Sequence, residues 1–165
     1  MRVFLLLLAL LSAAGVYFLG GNRIGPGHVE RLYANGQIAF NALDHEALCA
    51  MLDDGFEQEL TMHVDSGQSR ESMDKQAYCE SQALVLGALK QVSQGANGRR
   101  LVDHQYTITE VAIEPGGRSA TVQTRATTVI PGIRSTVLST DTVVRRRWKT
   151  MVVRSEGTAW VGPAR

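Results

Sequence analysis

Two cysteines in 165 residues are too few for a disulfide-dense scaffold. The four histidines show neither H-x-x-x-H nor the tandem Cys/His spacing of a zinc module, so no metal site is expected. Gly 16 and Pro 4 exclude a collagen-like repeat, and 44% hydrophobic with 20% charged residues excludes a disordered chain. Neither sign of charge dominates: the formal net charge is +1, which argues against a nucleic-acid binder relying on bulk charge. No G-x-S-x-G, Walker-type or G-x-G-x-x-G sequence occurs, which leaves hydrolase, nucleotide and dinucleotide readings without an anchor and implies no cofactor. What remains is one compact domain and an appendage.

The appendage is N-terminal. After Met1-Arg2, residues 3–20 carry no charge and include Leu5-Leu6-Leu7-Leu8 and Leu10-Leu11. An early Arg before such a run begins a secretory signal or a signal anchor, and eighteen apolar residues are just enough to cross about 30 Å of hydrocarbon as a helix. Ser12-Ala13-Ala14 offers small residues for cleavage before Gly15. An uncleaved anchor with Arg2 on the cytoplasmic side is the other reading. Either places the rest outside the cytoplasm, in a bacterial-type envelope: a single-pass inner-membrane protein with a periplasmic domain, or a secreted one. The expected division is 1–21 signal or anchor, 22–27 linker and 28–165 domain.

The domain splits by charge and by period. Residues 22–98 hold five Lys/Arg against eleven Asp/Glu, and residues 99–165 the reverse balance, eleven against five. In the first half Val29, Leu32, Tyr33, Gly36, Phe40 and Leu43 fall on one helical stripe. Asp44 can cap a short second helix holding Leu48, Met51 and Leu52, which Asp53-Asp54-Gly55 ends. Leu60, Met62 and Val64 alternate with Glu59, Thr61 and His63 as in a half-buried strand. Ser72 can cap a third helix from Met73 to about Val92, with Tyr78, Val85, Leu89 and Val92 on one face. The second half predicts four consecutive strands with turns at Pro115-Gly116-Gly117, Pro131-Gly132 and Glu156-Gly157. The fold class is therefore α+β, three N-terminal helices on a curved antiparallel sheet, preceded by an apolar helix.

The order helix, helix, strand, helix, then antiparallel strands resembles the nuclear transport factor two-like (NTF2-like, SnoaL-like) superfamily of cone-shaped α+β rolls. The stretch Phe40-Asn41-Ala42-Leu43-Asp44-His45-Glu46-Ala47-Leu48-Cys49-Ala50-Met51-Leu52-Asp53-Asp54-Gly55-Phe56 is similar to the superfamily's usual approach to its first strand. That superfamily includes enzymes, binding modules and assembly scaffolds, so the resemblance implies a fold before an activity. It sets Glu59 where ketosteroid-isomerase-like members carry a general-base carboxylate. Asp141 falls near their protonated, oxyanion-binding acid, and Gln37 where they have an oxyanion-hole tyrosine.

Two functional expectations follow. The first is a non-catalytic roll that binds a small apolar ligand or an envelope protein partner, with Gln37, Glu59, Asp141 and Trp148 as pocket candidates and a homodimer through the sheet as a further possibility. The alternative is a small isomerase or cyclase using Glu59 and Asp141. Arg145-Arg146-Arg147 is expected to alternate between strand faces and to pair with the acidic half, with anionic lipid or an acidic partner as the other use and no nucleic acid. Cys49 and Cys79, on the second and third helices, are expected to form a disulfide in an oxidising compartment, two buried thiols being the alternative.

Overall fold

The computed structural model describes residues 15, 17, 21–65, 67–95 and 102–164. The expected apolar segment 3–20 lies, apart from Gly15 and Tyr17, outside the described residues; no helix among those described is long and apolar enough to cross a membrane. The domain runs α1 (Pro26–Asn41), α2 (His45–Cys49), β1 (Leu52–Val64), β2 (Gly67–Asp74), α3 (Lys75–Gly95), β3 (Asp103–Ile113), β4 (Ser119–Ile130), β5 (Ile133–Arg146) and β6 (Lys149–Pro163). The strands form one sheet in the order β2-β1-β6-β5-β4-β3.

Local chemistry explains the helix starts. Pro26 opens α1, where its fixed φ and missing N–H are no handicap, and the Gly25 N–H donates to His28 Nδ1 at 3.0 Å. Asp44 caps α2 by accepting from the Ala47 N–H at 2.9 Å. The third helix starts later than expected. Ser72 lies in β2 opposite Glu59, and Asp74 is the cap, accepting from the Ala77 N–H at 2.8 Å. Strand β2 escaped the sequence reading because it is an edge strand exposed on both faces, with only Met73 half-buried, and so shows no apolar alternation. The face of α3 also differs: Leu86 is fully buried, whereas Val85 and Val92 are exposed.

The sheet is mixed rather than antiparallel throughout, because β1 pairs with β6 in parallel. The last turn is not at Glu156-Gly157, which sits inside β6, but at Arg147-Trp148, between the paired residues Arg146 and Lys149. Both turn residues have positive φ (49° and 71°), the handedness that a two-residue hairpin demands. Asn-Gly would meet it freely, whereas a side chain in that region costs about 1–2 kcal/mol per residue. No turn signal was therefore visible.

Helices α1 and α3 cover one face of the sheet. Ile24, Val29, Leu32 and Tyr33 pack against Ala120, Val122 and Val143. Residues 22–27 are part of this body rather than a linker: Ile24 is buried, and its N–H donates to Gly117 O at 2.8 Å. The disulfide Cys49–Cys79 ties α2 to α3, with 5.8 Å between the Cα atoms. The arginine run is divided between strand and turn: Arg145 and Arg146 end β5, whereas Arg147, expected in the strand, is in the turn. Arg146 pairs with Asp53 at 3.0 Å, Arg145 donates to Arg23 O at 3.0 Å, and the Arg147 N–H donates to Asn22 Oδ1 at 2.9 Å.

Candidate functional site

Between the helices and the inner face of the sheet lies a cavity of about 380 Å³. Its space comes from small residues on the two strands that flank β5: Ala126 on β4 and Gly157 on β6. A Cβ at Gly157 would come 3.0 Å from Leu138 O and 3.4 Å from Leu60 Cδ1, so glycine is needed there for close approach as well as for room. At Gly36 on α1 a Cβ would meet only Met51 Sδ at 3.8 Å, an ordinary contact; that glycine leaves space at the cavity wall rather than permitting tight packing. Leu32, Phe40, Met51, Phe56, Leu60 and Met62 supply apolar walls.

Polar groups converge on one region of this lining. Asp141, on β5, is 4% exposed and accepts from Tyr33 Oη at 2.6 Å and from Ser155 Oγ at 2.7 Å. Burial raises the pKa of its carboxyl above the usual Asp value, against the opposing effect of the hydrogen bonds from Tyr33, Ser155 and Ser139. The Tyr33 phenol is pushed far up, by burial first and then by Asp141, and so stays a donor. Next to this cluster Thr124 Oγ1 and Ser139 Oγ are 2.7 Å apart, and Thr124 Oγ1 lies 3.4 Å from Tyr106 Oη. Further along β3, the buried His104 ring stacks on Phe40 (centroids 4.0 Å apart), and its Nδ1 is 2.8 Å from Thr128 Oγ1. Burial pulls the His104 pKa down to about 4. This is a mostly apolar chamber in which hydrogen-bonding groups cluster around Asp141, with Glu71 of the edge strand β2 also on the lining.

Of the residues singled out in the sequence, Asp141 lines this cavity and Glu59 does not. Gln58 and Leu60 face inward, which sends Glu59 to the opposite, outer face of β1. There it is ion-paired with Arg70, and with Arg154 at 3.4 Å; the Arg70 hydrogen bond and charge hold it below the usual carboxylate range. The two carboxylates therefore share no site. Gln37 is not among the lining residues; the phenol expected at its position comes from Tyr33, one helical turn earlier. Trp148 lies away from the cavity in the β5–β6 turn, with the Arg145 guanidinium 5.1 Å from its ring centroid. Tyr33 and Tyr106 could have been noticed as polar-tipped residues on apolar stripes, but Ser155 and Ser139 carry no local signal and emerge only from strand register. Among the described residues no group of three or more His, Cys, Asp or Glu could hold a metal ion.

The architecture is that of the NTF2-like α+β rolls. An NTF2-like protein of unknown function from Pseudomonas putida KT2440 matches with a TM-score of 0.53 at 11% identity, over 80% of this chain and 84% of that one. A protein described as a scytalone dehydratase from Novosphingobium aromaticivorans DSM 12444 gives 0.53 at 15% identity, over 83% and 85%. A ketosteroid isomerase-like protein from Erwinia carotovora atroseptica SCRI1043 gives 0.51 at 15%, over 81% and 94%. At these identities the likeness is one of fold. No protein-family model and no curated protein matches the chain.

Proposed function

We propose that the roll is a non-catalytic binding module for a small, largely apolar molecule bearing one hydroxyl or carbonyl group. One observation carries this reading: the Tyr33–Asp141–Ser155 cluster sits in a mostly apolar cavity whose other lining carboxylate, Glu71, stands on the edge strand β2, three strands away from β5. Proton abstraction next to a carbonyl needs a base within hydrogen-bond reach, and Glu59 is on the other side of the sheet. The test is binding of a neutral environment-sensitive dye such as Nile red. Wild-type protein should enhance its emission. Ala126→Leu, which fills the cavity, should abolish that enhancement, whereas Glu59→Gln should leave it unchanged. Equal dye response in Ala126→Leu and wild type would refute the reading. Turnover of a β,γ-unsaturated ketone that disappears in Asp141→Asn would replace it by an isomerase.

The same proposal places the roll outside the cytoplasm, held to the inner membrane by residues 3–20 or released by cleavage. The uncharged run after Arg2 supports this, and so does the Cys49–Cys79 bond, since disulfides persist in oxidising compartments. A reporter active only in the periplasm, fused after Arg165, should be functional. The outer sheet face, with Leu138 and Trp160 45% and 44% exposed, is the surface we assign to a second copy or an envelope partner. If a second copy binds there, Leu138→Glu should turn a sedimenting dimer into a monomer.

A further inference from the structure

The antiparallel meander puts the β3–β4 and β5–β6 turns at one end of the sheet, and the parallel β1–β6 pair brings the start of β1 to the same end. The first residues of the domain are clamped there. The Trp148 N–H donates to Gly21 O at 2.8 Å, and the Trp148 indole packs so closely on Gly21 that a Cβ would lie 2.7 Å from its Nε1. The uncharged run of residues 3–20 thus joins the domain at Trp148.

This end is basic. Arg146 is matched by Asp53 and Lys75 by Asp54, and Glu114 lies at the base of the β3–β4 turn. Arg23, Arg118, Arg147 and Lys149 are exposed, with no carboxylate in ion-pair distance among the described residues. Trp148 stands in their midst, 48% exposed. The turn that presents Arg147 and Trp148 holds both at positive φ, where glycine or asparagine would be unstrained. Strain of this kind at an exposed position points to a use for the side chains themselves.

We infer that this end of the roll is a membrane-docking surface, on which Trp148 enters the interfacial layer while Arg23, Arg118, Arg147 and Lys149 meet anionic phospholipid headgroups. The occupant follows from where the chain leads: an apolar run of membrane-spanning length ends at Gly20, so a bilayer that receives it lies against this end. Tryptophan seats at headgroup level with its ring amphipathic, and juxtamembrane Arg and Lys are drawn to anionic lipid within a Debye length. The inference rests on the anchoring proposed above. It adds an orientation: the roll lies down on its β-turn end, with the β1–β2 and β4–β5 turns pointing away from the bilayer.

The chain has two tryptophans, so Trp160→Phe leaves Trp148 as the single reporter. Full-length Trp160→Phe protein is reconstituted into vesicles of phosphatidylcholine with 30% phosphatidylglycerol, or of phosphatidylcholine alone, each carrying a headgroup-attached nitroxide quencher. Trp148 emission should be quenched at least twofold more in the anionic vesicles. Arg147→Glu/Lys149→Glu or 0.5 M salt should remove that difference, while the protein still co-floats with the lipid. Co-flotation with equal quenching in both vesicle types would overturn the docking surface alone and leave the basic end to an acidic protein. Failure to co-float with either would overturn the anchoring and the docking together.

Discussion

Asp141 and His104 titrate in opposite senses, although burial dominates both. Asp141 has a folded-state pKa raised above its ordinary value of 3.8. Its stabilising contribution is therefore complete below that value and is lost as pH rises through the folded pKa, where a buried carboxylate must form. Asp141→Asn is accordingly expected to remove this fall in stability with rising pH. Above the folded-state pKa this variant should match or exceed wild type in urea denaturation. His104 has a folded-state pKa of about 4 against an ordinary 6.5. Its neutral ring contributes fully above pH 6.5, and that contribution fades as pH falls from 6.5 toward 4. The loss should be roughly 2 kcal/mol after allowing for solvent screening. It should be absent in His104→Phe, which keeps the stack on Phe40 but does not titrate; the urea midpoint at pH 7 and pH 4.5 measures it.

Among the elements, α2 depends most on a single bond. It has five residues and none is buried, so its place over the cavity rests on Cys49–Cys79 and the Asp44 cap. The disulfide closes a loop across a separation of 30 residues, which chain-entropy arithmetic values at about 3.5 kcal/mol. Cys49→Ser/Cys79→Ser should lose close to that amount in thermal unfolding, and α2 should show the earliest amide exchange. The β5–β6 turn responds in the opposite direction. Arg147→Gly removes an exposed side chain from positive φ and should raise stability by roughly 0.5–1 kcal/mol, measured as a higher midpoint in urea. These elements also show how far the sequence could be read. Helix α1, the α2 cap and strands β3 and β4 were legible, because apolar period, capping residues and Gly/Pro turns all point to the same assignment. Strand β2 and the Arg147-Trp148 turn were not, since one has no buried face and the other no turn residues. The site was half legible for a related reason. Asp141 was reached through the resemblance, from its place along the long strand, but whether Glu59 joins it depends on register, and one residue of register exchanges the faces of a strand.

At the scale of the molecule, the charge division between the two halves contributes little to stability. Among the described residues the ion pairs joining residues 22–98 to 99–165 are Arg146–Asp53 and Arg154–Glu59, and both arginines are about half exposed or more. Exposed pairs of this kind contribute about 0–1 kcal/mol each, so 1 M NaCl should leave the urea midpoint nearly unchanged. The two halves are held by the shared sheet and core.

That shared sheet has a consequence for how the polypeptide acquires its shape. Strand β6 is the thirteenth-hour partner in synthesis: Leu52–Val64 finds its inner neighbour only when Lys149–Pro163 has left the ribosome. Pairings that distant along the chain raise contact order and slow folding, because loop-closure entropy is lost before the contact forms. A nascent chain stopped at Trp148 would have the β1–β2 hairpin and the β3–β4–β5 meander with nothing between them. Such fragments should be digested rapidly in pulse proteolysis, while the chain through Ala164 resists. Completion of the sheet therefore waits for β6. Until β6 is made, the β1–β2 hairpin and the β3–β4–β5 meander have no common neighbour, and the core they share stays open.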